Sequence, residues 1–325
     1  MSVFLAFTLL SACNMPCLGK SLLSGVSLPS ATFANKNLPG KNGVDYFYPN
    51  EQDVDYFLSK GMNIIRLGFI WERLQPNLNG PFDPDEAQRL DDAVQTILRR
   101  GATVILDLHN YARYRNQIIG SAATPEAGFA DIWGRLAVIY GKNDQIFFGL
   151  MNEPHDIGAS QWQQAAQAAV TRIRQAGARN KILVSSTQWS NASGFVADGD
   201  IWKLMVDPAK NFAFEVHQYV DLDNTGTHAE CLDPLAGVSA LKQVTQWMRQ
   251  NKHQVILGEF GGSAQKECLR ALLHMLEYMQ QQSDVWLGWV YFAGGRGWAD
   301  NDILSIQPTS KGEKPQMELL QRFLR

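Results

Sequence analysis

The apolar residues of this chain fall into eight short, nearly continuous runs, separated by segments with a different periodicity. The runs are rich in β-branched and aromatic residues, which is typical of parallel strands buried on both faces. They cover residues 25–28, 63–69, 103–109, 146–152, 181–187, 212–219, 254–260 and 285–292. The run at 25–28 is the weakest of these strand predictions, because it is short and carries few large apolar residues.

Helical patterns separate most of these runs. Apolar residues at helical spacing predict helices over 85–100, 160–176, 235–251, 268–282 and 314–324. Gly101 ends the first of these helices, and Ser160 is expected to cap the start of the second.

Alternation of strands and helices predicts a parallel sheet, and eight such units favour a closed (β/α)8 barrel in a single domain. The alternative is an open, doubly wound sheet, which usually carries a glycine-rich phosphate-binding loop after its first strand. This sequence has no such loop. Its 325 residues also contain no repeat or low-complexity linker, so we expect one α/β domain over residues 19–325.

The first 18 residues differ from the rest and resemble an export segment. The apolar run at 3–10 is too short to span a bilayer and is followed by small residues. No Lys or Arg precedes this run, so either the signal is atypical or the natural start lies upstream. The sequence Leu10-Ser11-Ala12-Cys13 also resembles a lipoprotein processing site, which leaves open lipid attachment at Cys13 or ordinary cleavage slightly later. We expect a secreted protein in either case.

Charge and cysteine content narrow the possible functions. The formal net charge of −3, without a basic stripe, argues against a nucleic-acid partner. Of the four cysteines, Cys231 and Cys268 lie in the body of the protein, where they either pair or remain two buried thiols. The spacing of cysteines and histidines does not match a structural zinc site, and no metal or cofactor is expected.

Polar residues cluster where the predicted strands end. In barrels of this kind the active site is built at the carboxyl ends of the strands. Six strands carry candidate groups there, and since unpaired buried charges are costly, these groups must face one another or a wet pocket. They are Arg66, His109-Asn110, Asn152-Glu153, His217-Gln218-Tyr219, Glu259, and Trp289 with Tyr291.

Two glutamates among these residues indicate glycosidic bond cleavage. One carboxyl group protonates the leaving oxygen and the other attacks or activates water. Glu153 and Glu259 follow the fourth and seventh strands, across the barrel from each other. Because Arg66 and Tyr219 are expected to hold Glu259 ionised, Glu259 is the predicted nucleophile and Glu153 the general acid and base.

Seven motifs give the chain a specific resemblance to glycoside hydrolase family 5, in particular to its fungal-type endo-β-1,4-glucanase branch. They are GMNIIRLGFIWERL (61–74), LDLHNYARY (106–114), LMNEPHD (150–156), QWSNASGF (188–195), EVHQYVDLDNTGTHAEC (215–231), LGEFGG (257–262) and WVYFAGG (289–295). Together they span residues 25 to 300 in the family's order. The match is loose over 25–33 and weak over 294–302, which leaves the register of the first strand and the substrate contacts there undetermined.

The resemblance implies a role for each matching residue. Glu153 acts as acid and base, and Glu259 as nucleophile. The remaining positions support them: Asn152 binds the sugar 2-hydroxyl, Arg66 and Tyr219 position Glu259, His217 supports Glu153, His109 binds the sugar at the cleavage point, and Trp289 stacks beneath the sugar on the non-reducing side. The resemblance also implies a Cys231–Cys268 disulfide between the loop after the sixth strand and the helix after the seventh.

Several residues have a structural as well as a functional interpretation. Trp189 and Tyr111 are expected to stack against sugar at the mouth, whereas Trp286 and Phe292 are expected in the core. His155 and Asp156 are interpreted as loop and cap residues, and Trp71 as either a sugar platform or a brace of the barrel rim. The segment 221–226 faintly resembles a calcium loop, but a solvated turn is favoured because Leu232 occupies the position that requires Glu.

The predicted reaction is endo-acting, retaining hydrolysis of β-1,4-glucosidic bonds in cellulose and related β-glucans. The first alternative is the same mechanism on mannan, xyloglucan or mixed-linkage glucan. A carbohydrate-binding barrel without activity is a more remote one, and a metal-dependent hydrolase would need ligands beyond His109 and His217. The expected partner is the polysaccharide itself, with no obligate protein partner and a monomeric enzyme.

Overall fold

A computed structural model describes residues 21–324, and the predicted export segment with Cys13 lies outside the described residues. Eight parallel strands in the described part of the chain form a closed barrel, which confirms the predicted fold. The strands are β1 (Leu23–Leu28), β2 (Ile64–Phe69), β3 (Thr103–Leu108), β4 (Ile146–Gly149), β5 (Ile182–Ser185), β6 (Phe212–His217), β7 (Val255–Phe260) and β8 (Trp286–Tyr291). Each lies within or beside a predicted run.

The barrel closes through β1, the weakest of the predicted strands. Gly25 of β1 is paired in register with Ile64 of β2 on one side and with Val290 of β8 on the other. All other neighbours in the barrel are consecutive strands of the chain, as expected for repeated β/α units.

Helices surround the barrel. They are α1 (Glu51–Ser59), α2 (Trp71–Leu74), α3 (Pro84–Leu98), α4 (Glu126–Tyr140), α5 (Ala159–Gln175), α6 (Ala192–Ala197), α7 (Gly199–Trp202), α8 (Ala236–Asn251), α9 (Lys266–Gln281) and α10 (Pro315–Leu320). The five predicted helices correspond to α3, α5, α8, α9 and α10. None of the helices within residues 21–324 has the length and apolar character needed to cross a membrane.

Five helices (α1, α2, α4, α6 and α7) and one cap differ from the sequence prediction, and a physical reason is evident for α1, α4 and the cap. Helix α1 begins with a capping box in which Asn50 and Asp53 each accept a backbone N–H from the other, a short signal that periodicity alone misses. Helix α4 is apolar around much of its circumference, so its sequence lacks a clear polar face. The prediction that Ser160 caps α5 was wrong, because the helix already begins at Ala159 and its N-cap is Gly158.

Two layers of side chains fill the barrel lumen and position the site. The lower layer is aliphatic and consists of Ile64, Ile105, Leu183, Ala213, Ile256 and Val290, all fully buried. Side chains alternate along a strand, so residues two positions further on also point inward. The upper layer, defined by these positions on β2, β3, β5, β6 and β7, consists of Arg66, Asp107, Ser185, Glu215 and Gly258.

A disulfide fixes one loop above the barrel. Cys231 and Cys268 are bonded, which ties the loop after β6 to the first turn of α9 and closes a segment with a sequence separation of 37 residues. The predicted pairing is therefore present, and the alternative of two separate thiols was wrong.

Candidate active site

Two carboxylates meet at the carboxyl ends of the strands. Glu153 follows β4 and Glu259 lies in β7, and their nearest oxygens are within 4.8 Å of each other. The side chain of Glu259 is 4% exposed and that of Glu153 is 15% exposed. Glu153 has a left-handed backbone (φ 44°), which is uncommon outside glycine and directs its side chain back over the mouth.

Both oxygens of Glu259 accept hydrogen bonds from buried donors. Arg66 Nη1 donates to Oε1 at 2.6 Å, and the Tyr219 hydroxyl donates to Oε2 at 2.9 Å. Burial and the negative charges of Glu259 and Glu153 raise the pKa of Tyr219, so this hydroxyl keeps its proton and remains a donor. The arrangement fixes the carboxylate plane of Glu259 and favours its charged form.

Glu153 has a different partner. His217 Nδ1 lies 2.8 Å from Glu153 Oε1 and 3.7 Å from Glu259 Oε2. Burial alone would lower the pKa of His217, but the nearby carboxylates of Glu259, Glu153 and Glu215 outweigh burial and raise it to about 10. The imidazole is therefore protonated at neutral pH and places positive charge between the two glutamates.

Arg66 lies at the centre of the upper layer, beneath the two glutamates. Besides Glu259, its guanidinium contacts Asp107 Oδ1 at 3.1 Å, Glu215 Oε1 at 3.3 Å and Asn152 Oδ1 at 2.8 Å. Burial alone would lower the pKa of Arg66, but the surrounding carboxylates outweigh burial and raise the pKa above its ordinary value. The guanidinium therefore stays charged.

Sequence reasoning missed Asp107 and Glu215 as members of this network. Asp107 precedes His109 by two residues and Glu215 precedes His217 by two residues, so each acid shares a strand face with the histidine above it. The sequence did carry a signal for these two acids. Each is an ionisable residue inside an apolar strand, two positions before a polar strand end. Both acids are almost fully buried.

Asn152 and His109 continue the network on the β3 side. Asn152 Nδ2 lies 3.2 Å from His109 Nε2, and His109 Nδ1 lies 2.7 Å from Asp107 Oδ2. Since Asn152 Oδ1 accepts from Arg66, its amide must donate to His109, which makes Nε2 the acceptor and Nδ1–H the donor. Burial would raise the pKa of Asp107, but Arg66 and His109 lower it.

An aromatic cluster lies at the mouth next to Glu153. Trp189 is 51% exposed and stacks on His155, with ring centroids 3.7 Å apart and planes 6° apart. Tyr111 packs edge-on against Trp189 at 5.8 Å. Trp189 stands in a run of three left-handed residues, Gln188 to Ser190, which lifts its ring out of the barrel. His155 is a loop residue as expected, but it also supports this ring.

The structure does not place Trp289 at the mouth. Trp289 is 1% exposed and packs edge-on against Phe260 at 5.7 Å, on the helix side of β8. Its neighbour Val290 points into the lumen, so Trp289 must point outward. Stacking of Trp289 beneath a sugar was therefore a wrong prediction.

Phe292, the residue directly after β8, packs next to the site residue Tyr219. It is half-buried, not in the core as predicted, and its ring lies 6.4 Å from the ring of Tyr219. Trp286 is buried in the core as expected. Trp71 is fully buried and donates from Nε1 to Gln75, so it braces the rim and does not contact a ligand.

Two cavities flank the glutamates. One, of about 650 Å³, is lined by Glu153, His217, Tyr219, residues 223–225 and Thr227. The other, of about 680 Å³, is lined by His109 and Tyr111. Trp189 borders both cavities, so together they form one groove that can hold a chain of sugars across the two carboxylates.

Two clusters of possible metal ligands lie near this groove. Glu153, His217 and Glu259 have suitable atoms within 4.8 Å, but these atoms already bond to one another or to Arg66 and Tyr219. In the second cluster Asp221 accepts the backbone N–H groups of Gly226 and His228, as in a hydrogen-bonded turn. This contact pattern supports the turn interpretation of 221–226.

Comparisons with known proteins agree with this geometry. The family model for cellulase, glycosyl hydrolase family 5, matches residues 27–295. Endo-beta-1,4-glucanase B of Emericella nidulans is 33% identical to this chain, over 88% of this chain and 86% of that protein. Endoglucanase EG-II of Hypocrea jecorina is 37% identical, over 85% of this chain and 67% of that protein.

Solved structures show the same similarity. XacCel5A, determined in complex with cellopentaose, is 40% identical and superimposes with a TM-score of 0.91, over 94% of this chain and 99% of that one. The endo-beta-1,4-glucanase Xac0029 from Xanthomonas axonopodis pv. citri is 38% identical with a TM-score of 0.91, over 94% and 98% of the two chains.

Proposed function

The chain belongs to glycosyl hydrolase family 5, and on that premise we propose that it cleaves internal β-1,4-glucosidic bonds of cellulose and related β-glucans with retention of configuration. Glu259 is the nucleophile and Glu153 the general acid and base. The observation that carries this proposal is the pairing of two differently supported carboxylates within 4.8 Å at the mouth of the barrel.

The distance between the glutamates supports retention. Retaining glycosidases hold their two carboxyl groups about 5–5.5 Å apart, whereas inverting enzymes leave roughly 6.5–9.5 Å for a water molecule. The nearest oxygens of Glu153 and Glu259 lie within 4.8 Å of each other, which matches the closer, retaining arrangement better than the wider, inverting one. This short separation supports direct attack by one of the carboxylates.

The partners of each glutamate support the assignment of roles. Arg66 and Tyr219 hold Glu259 as a fixed anion, which a nucleophile requires. Glu153 is more exposed and contacts only His217 among the charged groups of the network, so one of its oxygens is left to face the substrate. In the first step Glu259 attacks the anomeric carbon while Glu153 protonates the departing oxygen. In the second step Glu153 removes a proton from the water that releases the sugar.

The groove supports an endo-acting enzyme with a polymeric substrate. It passes Glu153, and His109, Tyr111 and Trp189 present polar and aromatic surfaces along it. Sugars stack on exposed aromatic rings, and Trp189 is the most exposed ring in the described part of the groove. The similar proteins named as endoglucanases, and the similar structure that binds cellopentaose, support β-1,4-glucan as the substrate.

Viscosity loss and reducing-end release on carboxymethyl cellulose test this proposal. Wild type is expected to lower viscosity early, relative to reducing ends, because endo cleavage shortens chains quickly. Glu259→Gln and Glu153→Gln are expected to be inactive on this polymer, with losses of roughly 10⁴-fold and 10²–10⁴-fold. Activity on mannan or xyloglucan in place of carboxymethyl cellulose would keep the mechanism and overturn the substrate.

We also propose that residues 1–18 form an export segment and that the mature, monomeric catalytic domain is extracellular. The Cys231–Cys268 disulfide supports an oxidising compartment. Mass spectrometry of the mature N-terminus tests this: a lipid-modified Cys13 in the membrane fraction indicates anchoring, and an unmodified terminus in the medium indicates ordinary cleavage. A protein that retains residues 1–18 inside the cell would contradict both forms.

A further inference from the structure

The ring of His217 lies between two carboxylates, and only one of them belongs to the proposed reacting pair. Nδ1 faces Glu153 Oε1 at 2.8 Å, and Nε2 faces Glu215 Oε1 at 3.2 Å. A carboxylate accepts hydrogen bonds, so a ring held between two carboxylates donates from both nitrogens. The geometry therefore favours the imidazolium form of His217.

Glu215 cannot act on a substrate directly. Its side chain is 2% exposed in the upper layer, below Glu259, and its contacts are Arg66 Nε at 3.3 Å and the histidine. Burial of a carboxylate is costly, so the presence of Glu215 in this layer indicates a specific role for its charge.

The neighbouring strand leaves space for this carboxylate. A Cβ atom at Gly258 would lie 2.1 Å from Glu215 Oε1, so any larger residue at 258 would displace it. Gly258 has no positive φ that would otherwise require glycine. Glycine at this site of β7 is explained by the room that Glu215 needs.

The state of His217 decides which oxygen of Glu153 carries the acidic proton. When Nδ1–H donates to Oε1, the proton of a neutral Glu153 resides on Oε2, the oxygen that remains for the substrate. When His217 is neutral with its hydrogen on Nε2, Nδ1 is an acceptor and competes with the substrate for the proton of Glu153.

We propose that Glu215 is a positioning residue that holds His217 as a donor to Glu153, so that the acidic proton of Glu153 faces the glycosidic oxygen. The inference rests on the proposed function. In the first step that proton moves to the departing oxygen, the C–O bond breaks with its electron pair on that oxygen, and Glu259 bonds to the anomeric carbon. The anionic Glu153 then accepts from His217 Nδ1–H until a proton from water returns to it.

The experiment compares leaving groups. Values of kcat/KM are measured for aryl β-cellobiosides whose phenols range from acidic to weakly acidic, with wild type, Glu215→Gln and Glu153→Gln. Loss of acid catalysis slows poor leaving groups and spares those that depart without a proton. For Glu215→Gln we expect the loss on the poorest leaving group to exceed the loss on dinitrophenyl cellobioside by roughly 10²-fold.

Asp107→Asn is the matched control. Asp107 is equally buried and also contacts Arg66, but it bonds to His109 and not to His217. Its removal disturbs the charge around Arg66 and Glu259, so it is expected to slow all leaving groups by a similar factor. The contrast between the two variants separates an effect on Glu153 from a general effect on the network.

Each outcome decides a different question. A uniform loss across all leaving groups in Glu215→Gln, with the selective loss present in Glu153→Gln, overturns the role of Glu215 alone. No cleavage of any cellobioside by wild type overturns the proposed function instead. If Glu215→Gln does not fold, Glu215→Asp keeps the charge but withdraws the carboxylate from Nε2. It is then expected to show a weaker selective loss, and a uniform loss overturns the inference.

Discussion

The two layers of the barrel lumen are adjacent on the same strands, yet they differ in almost every physical property. The lower layer consists of aliphatic side chains that are fully buried and contact only one another and their neighbours. The upper layer contains one guanidinium, two carboxylates and two small residues. The aliphatic layer and the charged layer are thus only two residues apart along each of five strands.

The comparison shows how a charged layer can exist inside a barrel. Burial of the upper-layer charges is costly, and Arg66 offsets it by contacting Asp107, Glu215 and Glu259 at once. The lower layer excludes water from below, which strengthens these interactions. We expect the two layers to respond differently to substitution, the lower one in stability alone and the upper one in both stability and catalysis.

Removal of the central cation has the largest expected effect. Arg66→Met leaves the carboxylates of the upper layer without a counter-charge, and we expect a loss of about 3–5 kcal/mol in the free energy of unfolding. Urea unfolding at neutral pH measures it. Arg66→Lys, which keeps the charge but not the planar fork, serves as the control and should lose less. A loss below about 1 kcal/mol in Arg66→Met would show that the acids of this layer are neutral.

A cavity in the lower layer should separate stability from catalysis. Ile105→Ala removes a fully buried side chain, and we expect a loss of about 2–5 kcal/mol in the free energy of unfolding. The value of kcat/KM per folded molecule should stay unchanged, because the apolar side chain of Ile105 belongs to the lower layer and makes no hydrogen bond to the charged residues. The conservative control, Ile105→Val, should cost about 0.5–1.5 kcal/mol. A large fall in kcat/KM would mean that the layers are coupled.

Substitution of Gly258, which lies against the carboxylate of Glu215, has the next largest expected effect on stability. Gly258→Ala places a methyl group against the carboxylate, and overpacking of this kind costs about 1–3 kcal/mol. Because the carboxylate must move away from His217, we also expect kcat/KM on cellulose oligosaccharides to fall. Ala213→Gly, in the lower layer of β6, changes a side chain of the same size without touching a charge. Equal values of kcat/KM for Gly258→Ala and Ala213→Gly would contradict the proposal that glycine at position 258 makes room for Glu215.

The pH dependence of stability provides the last test. The pKa of His217 rises from its ordinary 6.5 to about 10 because the carboxylates outweigh burial. Protonation of His217 therefore stabilises the fold fully below about pH 6.5, and this contribution is lost as the pH rises toward 10. We expect the midpoint of thermal unfolding to fall over this range in wild type and to fall less in His217→Gln. Parallel curves for both proteins would refute the charged state of His217.

Much of the fold and half of the site were predictable from sequence for physical reasons. Parallel strands buried on both faces produce apolar runs, so the strands were found, and strand-end residues such as Glu153 stood out as exceptions to those runs. Asp107 and Glu215 were missed because the prediction considered only the residues at the strand ends, and these two acids lie two positions earlier. The placement of Trp289 was predicted wrongly, and the pairing of β8 with β7 shifts register between Trp289 and Tyr291. An irregularity of that kind has no signature in the sequence.

The sequence by itself determined the alternation of strands and helices, the eight-stranded barrel and the two glutamates at the carboxyl ends of β4 and β7. Those features depend on the local pattern of hydrophobic and polar residues, which each segment has independently of its contacts with the rest of the chain. The tertiary structure decided which charges meet: Arg66 and Glu259 are separated by 193 residues and lie 2.6 Å apart. Their contact, and the ring of His217 between two carboxylates, depend on barrel closure and strand register, because both set the distances across the lumen.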